Sequence, residues 1–152
     1  MVEPMNIRAA LGRLTAIQGG LSITDPIAVS VGAAYKYVPR QSTTLPATPS
    51  WMNDWTLIRE ERHIDMRIQF YTVHMQLFVR DADQDQAADV ASAFMEKTVE
   101  ALDADVTLNG TVTRQSLRGG EPTLVSLERG GLSYIGLDLF LDLEMKEAKS
   151  FS

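Results

Sequence analysis

Residues 57–81, LIREERHIDMRIQFYTVHMQLFVRD, decide how this chain folds. Ile64, Met66, Ile68 and Phe70 alternate with Asp65, Arg67 and Gln69; the phase then slips, and Val73, Met75, Leu77 and Val79 alternate with His74, Gln76 and Arg80. Successive side chains of a strand point to opposite faces, so each half predicts a strand with one buried face. A one-residue slip sends half the apolar set into water unless the backbone absorbs it. The pair Phe70-Tyr71 is the expected site of a bulge that keeps the core face continuous. At about 3.3 Å per residue the run from Arg62 to Arg80 extends on the order of 60 Å, about three times an ordinary strand. A globule of 152 residues is too small to cover all of it. One end is therefore expected to project as an arm, and a projecting arm needs a partner.

Upstream of this stretch, Ile7, Ala10, Leu11, Leu14 and Ile17 recur at helical spacing within Met5–Ile17, and Gly19-Gly20 is the expected stop, in the left-handed conformation that glycine tolerates. Ile27 to Tyr37 alternates as a first strand. Pro46, Pro49 and a Ser/Thr cluster then mark a long loop at about residues 39–56. Both tryptophans, Trp51 and Trp55, fall at its end. They either cap the open end of the core or anchor a protein interface at the tip of a projecting hairpin.

Downstream, Asp83 is the expected N-cap of a helix with Ala87, Val90, Ala91, Phe94, Met95 and Leu102 as its apolar stripe. From Asp81 to Asp105 there are eight acids and one base, which is either an ordinary solvated face or a functional negative one. Val106 to Leu117 reads as a strand with a turn or bulge at Asn109-Gly110. Residues 118–131 read as a turn-rich connection or a small extra hairpin. Ile135 to Met145 is a closing strand whose polar side carries one apolar exception, Phe140. Residues 147–152 are expected to fray as a flexible tail. The expected fold is one α+β domain spanning 1–152: an antiparallel, mainly four-stranded sheet in α-β-β-α-β-β order, two helices on one face, and a long projecting hairpin. The other face would carry Arg67, Gln69, His74, Gln76, Asp138, Asp142 and Glu144.

Composition narrows the function. With 45% hydrophobic and 22% charged residues the chain is expected to fold, and the absence of cysteine excludes disulfides, zinc–thiolate and iron–sulfur sites and thiol catalysis. Twenty acids against fourteen bases, net charge −6, offer no basic face for nucleic acid. No apolar run approaches the roughly 20 residues of a membrane span, and the first residues lack a signal-peptide pattern, so synthesis and folding in the cytosol are expected. Asp81, Asp83 and Asp85 open like a calcium loop, but Gln86 and Ser92 stand where that loop needs glycine and glutamate. His63 and His74 lie too far apart on one extended element to share a metal. No nucleophile–base arrangement, phosphate loop or dinucleotide fingerprint occurs. The expectation is a non-enzyme without metal or cofactor.

Taken together, the helix IRAALGRLTAI, the strand ending YKYVPR, the long loop, the strand RIQFYTVHMQLFVRD, the helix DQAADVASAFMEKTVEALD and the closing strand YIGLDLFLDLEM resemble the tail terminator (tail completion) proteins of long-tailed bacteriophages. The step from Val79-Arg80-Asp81 into an alanine-rich helix, followed by two more strands, carries most of the likeness. The resemblance implies a virion protein of the tail or neck, assembled in the host cytoplasm. It implies a homo-oligomeric ring, typically a hexamer, that caps the tail tube, ends its polymerisation and presents a surface to the neck or head completion proteins. DNA would pass through without specific binding. Candidate interface residues are then Trp51, Trp55, Arg59, Glu61, Arg62, Arg67 and Phe140. Candidates for an acidic lumen are Asp85, Asp89, Glu96, Glu100, Asp138 and Asp142. Two other roles fit the same pattern: a different neck or baseplate ring component, or a dimeric module that encloses a small ligand on its open sheet face.

Overall fold

The computed structural model describes residues 6–25, 27–36, 49–79, 84–118, 123–129 and 132–148. The chain order is α1 (Ile7–Gly19), β1 (Ser22–Ile23), β2 (Val29–Ser30), β3 (Ala33–Tyr35), β4 (Ser50–Arg62), β5 (Met66–Val79), α2 (Gln84–Asp103), β6 (Arg114–Leu117), β7 (Thr123–Arg129) and β8 (Leu132–Ala148). The architecture is α+β, but the sheet is mixed and larger than the expected four antiparallel strands. Its order is β3-β4-β5-β8-β6, with β7 also pairing β8, and β1 and β2 form a separate two-stranded sheet. The β3–β4 pair is parallel and all other pairs are antiparallel.

The long central strands behave as the register requires. In β5 the odd residues Tyr71, Val73, Met75 and Leu77 are buried on one face, opposite Leu143, Leu141, Leu139 and Leu137 of β8. Helix α1 covers the β3–β4 side of that face and α2 the β5–β8 side. Leu11, Leu14, Trp51, Val90, Phe94 and Leu102 join the same core. A smaller cluster of Met52, Phe78 and Tyr134 lies on the opposite face, with Phe78 and Tyr134 edge to face at 5.6 Å.

Several expectations change. The stretch 62–80 is not one strand: β4 ends at Arg62 and β5 begins at Met66, and the turn between them is closed by the His63 amide donating to the Met66 carbonyl at 2.7 Å. The register does break opposite the Phe70-Tyr71 step, yet the extra residue, Ile58, belongs to β4, between Leu57↔Tyr71 and Arg59↔Phe70. β5 itself runs straight, so Met66, Ile68 and Phe70 share a face with Thr72 and His74 rather than with the core, while Arg67 and Gln69 lie on the helix side. The loop placed at 39–56 gives way to strand at Ser50, so Trp51 and Trp55 are both strand residues; residues 37–48 lie outside the described residues.

The first strand divides into β2 and β3, and the strand expected over 106–117 is reduced to Arg114–Leu117. The preceding residues turn instead, with Leu108, Asn109 and Gly110 all at positive φ (46°, 58° and 81°). The small extra hairpin is present as β7–β8. Of the tail expected at 147–152, Glu147 and Ala148 pair with Arg67 and Met66, because β5 continues past the core and offers them a ladder. Helix α1 is capped by Asn6, whose Oδ1 accepts from the Ala9 amide at 2.8 Å, and it ends at Gly20 in a right-handed conformation, φ −90°, not the left-handed one. The expected cap Asp83 lies outside the described residues.

Candidate assembly interface

Beyond the reach of the helices, β4 and β5 continue as an arm to which the end of β8 adds a third strand. β3 covers only Ser50–Met52 of β4; from Asn53 to Arg62 no described strand pairs with its outer edge. Residues 54–59 are all exposed, as expected of an edge strand with no layer above it. Among the described residues, four of the seven exposed large hydrophobics, Trp55, Leu57, Ile58 and Ile64, fall on this one hairpin, the others being Ile27, Val106 and Phe140. Ile64, in the turn, is 89% exposed. Isolated exposed apolar residues are ordinary, but a concentration on one projecting element marks a contact surface.

Several of the arm's charges pair with one another. Arg62 Nε donates to Glu60 Oε1 at 2.9 Å and Arg67 Nη2 to Glu147 Oε2 at 2.6 Å. Arg59 Nε lies 3.7 Å from Glu61, and the Arg59 guanidinium sits 4.1 Å over the Phe70 ring. The hydrogen bond from Arg62, against a partial opposition from burial and with help from the charges of Arg62 and Arg67, holds the Glu60 carboxyl below the ordinary carboxylate range. Burial raises the Tyr71 hydroxyl, which packs beside Trp55 with ring centroids 5.7 Å apart.

The candidate interface residues separate on this geometry. Trp55, Arg59, Glu61, Arg62 and Arg67 all belong to the arm. Trp51 does not contribute: it is fully buried, 0% exposed, against the core, one turn of the pleat away from the exposed part of β4. Trp55 is 38% exposed, so of the two tryptophan roles the core belongs to Trp51 and the surface to Trp55. Phe140 lies on the open face, stacked on His74 at 4.7 Å and 6°, with the Arg118 guanidinium 5.1 Å from its ring centre.

That open face is closely laced. His74 Nε2 lies 2.9 Å from Asp138 Oδ1, which also accepts from Gln76 Nε2 at 3.0 Å. Asp142 accepts from Thr72 Oγ1 at 2.8 Å and from Arg118 Nη2 at 2.9 Å, and Arg118 is correspondingly held protonated more firmly than an ordinary arginine. Glu144 is paired with Arg114 at 2.6 Å. The six acidic candidates therefore do not form one surface. On the open face Asp142 is paired with Arg118, and Asp138 is hydrogen-bonded to His74 and Gln76. Asp89, Glu96 and Glu100 form an exposed stripe at positions i, i+7 and i+11 on α2, across the sheet, where Lys97 alone approaches Glu100, at 3.8 Å. The side chain of Asp85 lies outside the described residues.

Among the described residues there is no cluster of three potential metal ligands, and no helix is long and apolar enough to cross a membrane. Clefts among the described residues include the following two. One, about 570 Å³, runs along α1 and is lined by Arg8, Ala9, Gly12, Arg13, Ala16 and Lys36. The other, about 390 Å³, lies where short β6 meets β8 and is lined by Phe70, Val106, Leu143, Arg114, Asp142 and Glu144 among others. The sequence pattern missed Leu57, Ile58, Ile64 and Val106 as surface residues, since alternation assigned Ile64 to the buried face; the charges on both sides of Ile64 were the only hint. Compared with protein-family models and with curated proteins, the chain matches none.

Proposed function

We propose that this chain is a ring-forming structural protein of the tail terminator type: about six copies closing on the end of a phage tail tube, stopping its growth and offering the other face to neck proteins. The observation that carries this reading is the arm, a three-stranded extension with several internal ion pairs, an outer edge that no described strand pairs, and, among the described residues, most of the exposed large apolar side chains. Such an element costs solubility in a monomer and repays it only in an assembly. Its chemistry is geometric: a heterologous contact between neighbours closes a ring, and a ring whose two faces differ ends a polymer. Of the two acidic surfaces, the α2 stripe is the better lining for a DNA passage, because among the described residues Lys97 beside Glu100 is the one cation paired with it and its carboxylates would repel the phosphate backbone.

The test is solution mass by light scattering over a concentration series, with negative-stain images of any large species and co-sedimentation with tail tubes. A ring of about six copies that binds tube ends is expected. A monomer at every concentration that also ignores tubes would remove the proposal, and a concentration-independent dimer would favour a ligand-binding module.

A further inference from the structure

We infer that Asn109 is a site of spontaneous chemical modification: the backbone nitrogen of Gly110 displaces its side-chain amide as ammonia, leaving a carboxylate in the cleft along α1. The chain has three asparagines, each in a different setting. Asn6 is followed by the bulky Ile7, and its Oδ1 caps α1 at 2.8 Å from the Ala9 amide. Asn53 is fully buried, and its side-chain amide is bonded to Gln18 and to the Tyr35 carbonyl. Asn109 is exposed and precedes a glycine, whose missing side chain leaves the attacking nitrogen unobstructed.

The turn around Asn109 can open locally. Leu108 and Asn109 both hold positive φ, a conformation that side chains disfavour. The Gly110 nitrogen donates to Thr107 Oγ1 at 3.2 Å, a long bond. Leu108 and Thr111 are fully buried and anchor the turn on either side, so opening is confined to the two residues that react. Once the Gly110 nitrogen reaches Cγ of Asn109, an intramolecular step closes a cyclic imide. The N–Cγ bond forms, the Cγ–Nδ2 bond breaks, and the proton of the attacking nitrogen leaves with Nδ2 as ammonia. Water then opens the ring at either carbonyl. Cleavage of the N–Cγ bond restores the main chain with an aspartyl side chain, and cleavage at the backbone carbonyl of residue 109 leaves an isoaspartyl link.

The new carboxylate changes the cleft. Arg8, Arg13 and Lys36 line it together with Asn109. Asp105 already joins its two sides, accepting from Arg13 Nε at 2.8 Å through Oδ2 and from the Asn109 backbone nitrogen at 2.9 Å through Oδ1. A second carboxylate here shares those cations with Asp105 and adds one negative charge to the chain's net −6.

The folded protein, held in warm, mildly alkaline buffer over weeks, is followed by ion-exchange chromatography and peptide mass spectrometry. Expected are a growing acidic species, the mass gain of amide to acid confined to the peptide carrying residue 109, and two forms of that peptide, aspartyl and isoaspartyl. Asn109→Gln should abolish the acidic species, because glutamine must close a larger ring; its persistence in that variant would overturn the inference. Equal rates of gain at Asn6 or Asn53 would also overturn it, as would an unchanged residue 109 in the folded protein while the guanidinium-unfolded chain reacts.

Discussion

The buried amide pair Gln18–Asn53 should be worth several kcal/mol, and its loss should show a specific pattern of non-additivity. Gln18 Nε2 donates to Asn53 Oδ1 at 2.9 Å, Asn53 Nδ2 donates back to Gln18 Oε1 at 2.8 Å, and Asn53 Nδ2 also reaches the Tyr35 carbonyl at 3.0 Å. Both residues are 0% exposed, so no solvent replaces a lost partner. The pair pins the last turn of α1 to β4 where β3 ends, at the root of the arm. Asn53→Ala strands one donor and one acceptor of Gln18, each costing about 1–3 kcal/mol, so a loss of about 4 kcal/mol is expected. For a domain of this size that is roughly 8–16 °C in the thermal midpoint. The double change Gln18→Leu with Asn53→Leu removes both amides together and leaves only the Tyr35 carbonyl unmatched, so it should cost about 1–2 kcal/mol. Gln18→Leu alone likewise strands a donor and an acceptor of Asn53, so the double Leu change should cost several kcal/mol less than the sum of the two single Leu changes. Urea unfolding measures it, run at two protein concentrations so that self-association is separated from folding. Single variants within about 0.5 kcal/mol of the parent, or strictly additive effects, would refute the reasoning.

The two tryptophans should respond oppositely to truncation: Trp51→Ala should lose about 3–5 kcal/mol by emptying a core site, whereas Trp55→Ala should stay within about 1 kcal/mol in the monomer and act on association. Chemical denaturation and light scattering on the same samples distinguish them. Glu60, held below the ordinary carboxylate range by Arg62, contributes stability that is present above its unfolded pKa and is lost as pH falls through the lower folded value. A side-chain NMR titration should find Glu60 below the ordinary range, and Arg62→Ala should return it toward that range; an unshifted Glu60 in the parent would show that the pair is not populated. Gly110→Ala should cost about 1 kcal/mol, since φ there is 81°, and Asn109→Gly should be neutral or slightly stabilising by the same conformational reasoning, both read from thermal midpoints.

Strand periodicity in the Tyr71–Val79 half of β5 and in β8, and helical periodicity in α1 and α2, were enough to locate the core, because each element buries one face and the period of that face is written in consecutive residues. The same signal failed in Met66–Phe70. Those residues alternate as well as their neighbours do, but on the arm there is no helix layer to define an inside, and apolar side chains settle on the outer face. Short strands such as β1, β2, β3 and β6 carry too few residues for any period to register, and the parallel β3–β4 pairing joins Ala33–Tyr35 to Ser50–Met52, beyond the range of any local pattern. The candidate interface was half legible. A strand too long for its globule foretold the arm, and Arg59, Glu61, Arg62 and Arg67 are on it, but nothing local distinguished Trp51 from Trp55.

What the amino-acid order determined alone is the set of amphipathic elements, the absence of thiols, the acidic balance, and the presence of one element that exceeds its own core. Those properties depend on residues near one another in the chain or on simple sums. Tertiary structure decided which residues face water. It buried Trp51 in the core while leaving Trp55 at an edge, bonded Asp138 to His74 and Gln76 and Asp142 to Thr72 and Arg118, and set the acidic stripe of α2 on the opposite side of the sheet. It also drew the last residues of β8 into the arm. Each of these outcomes is a pairing between segments tens of residues apart, whose free energy comes from register and burial rather than from any local preference.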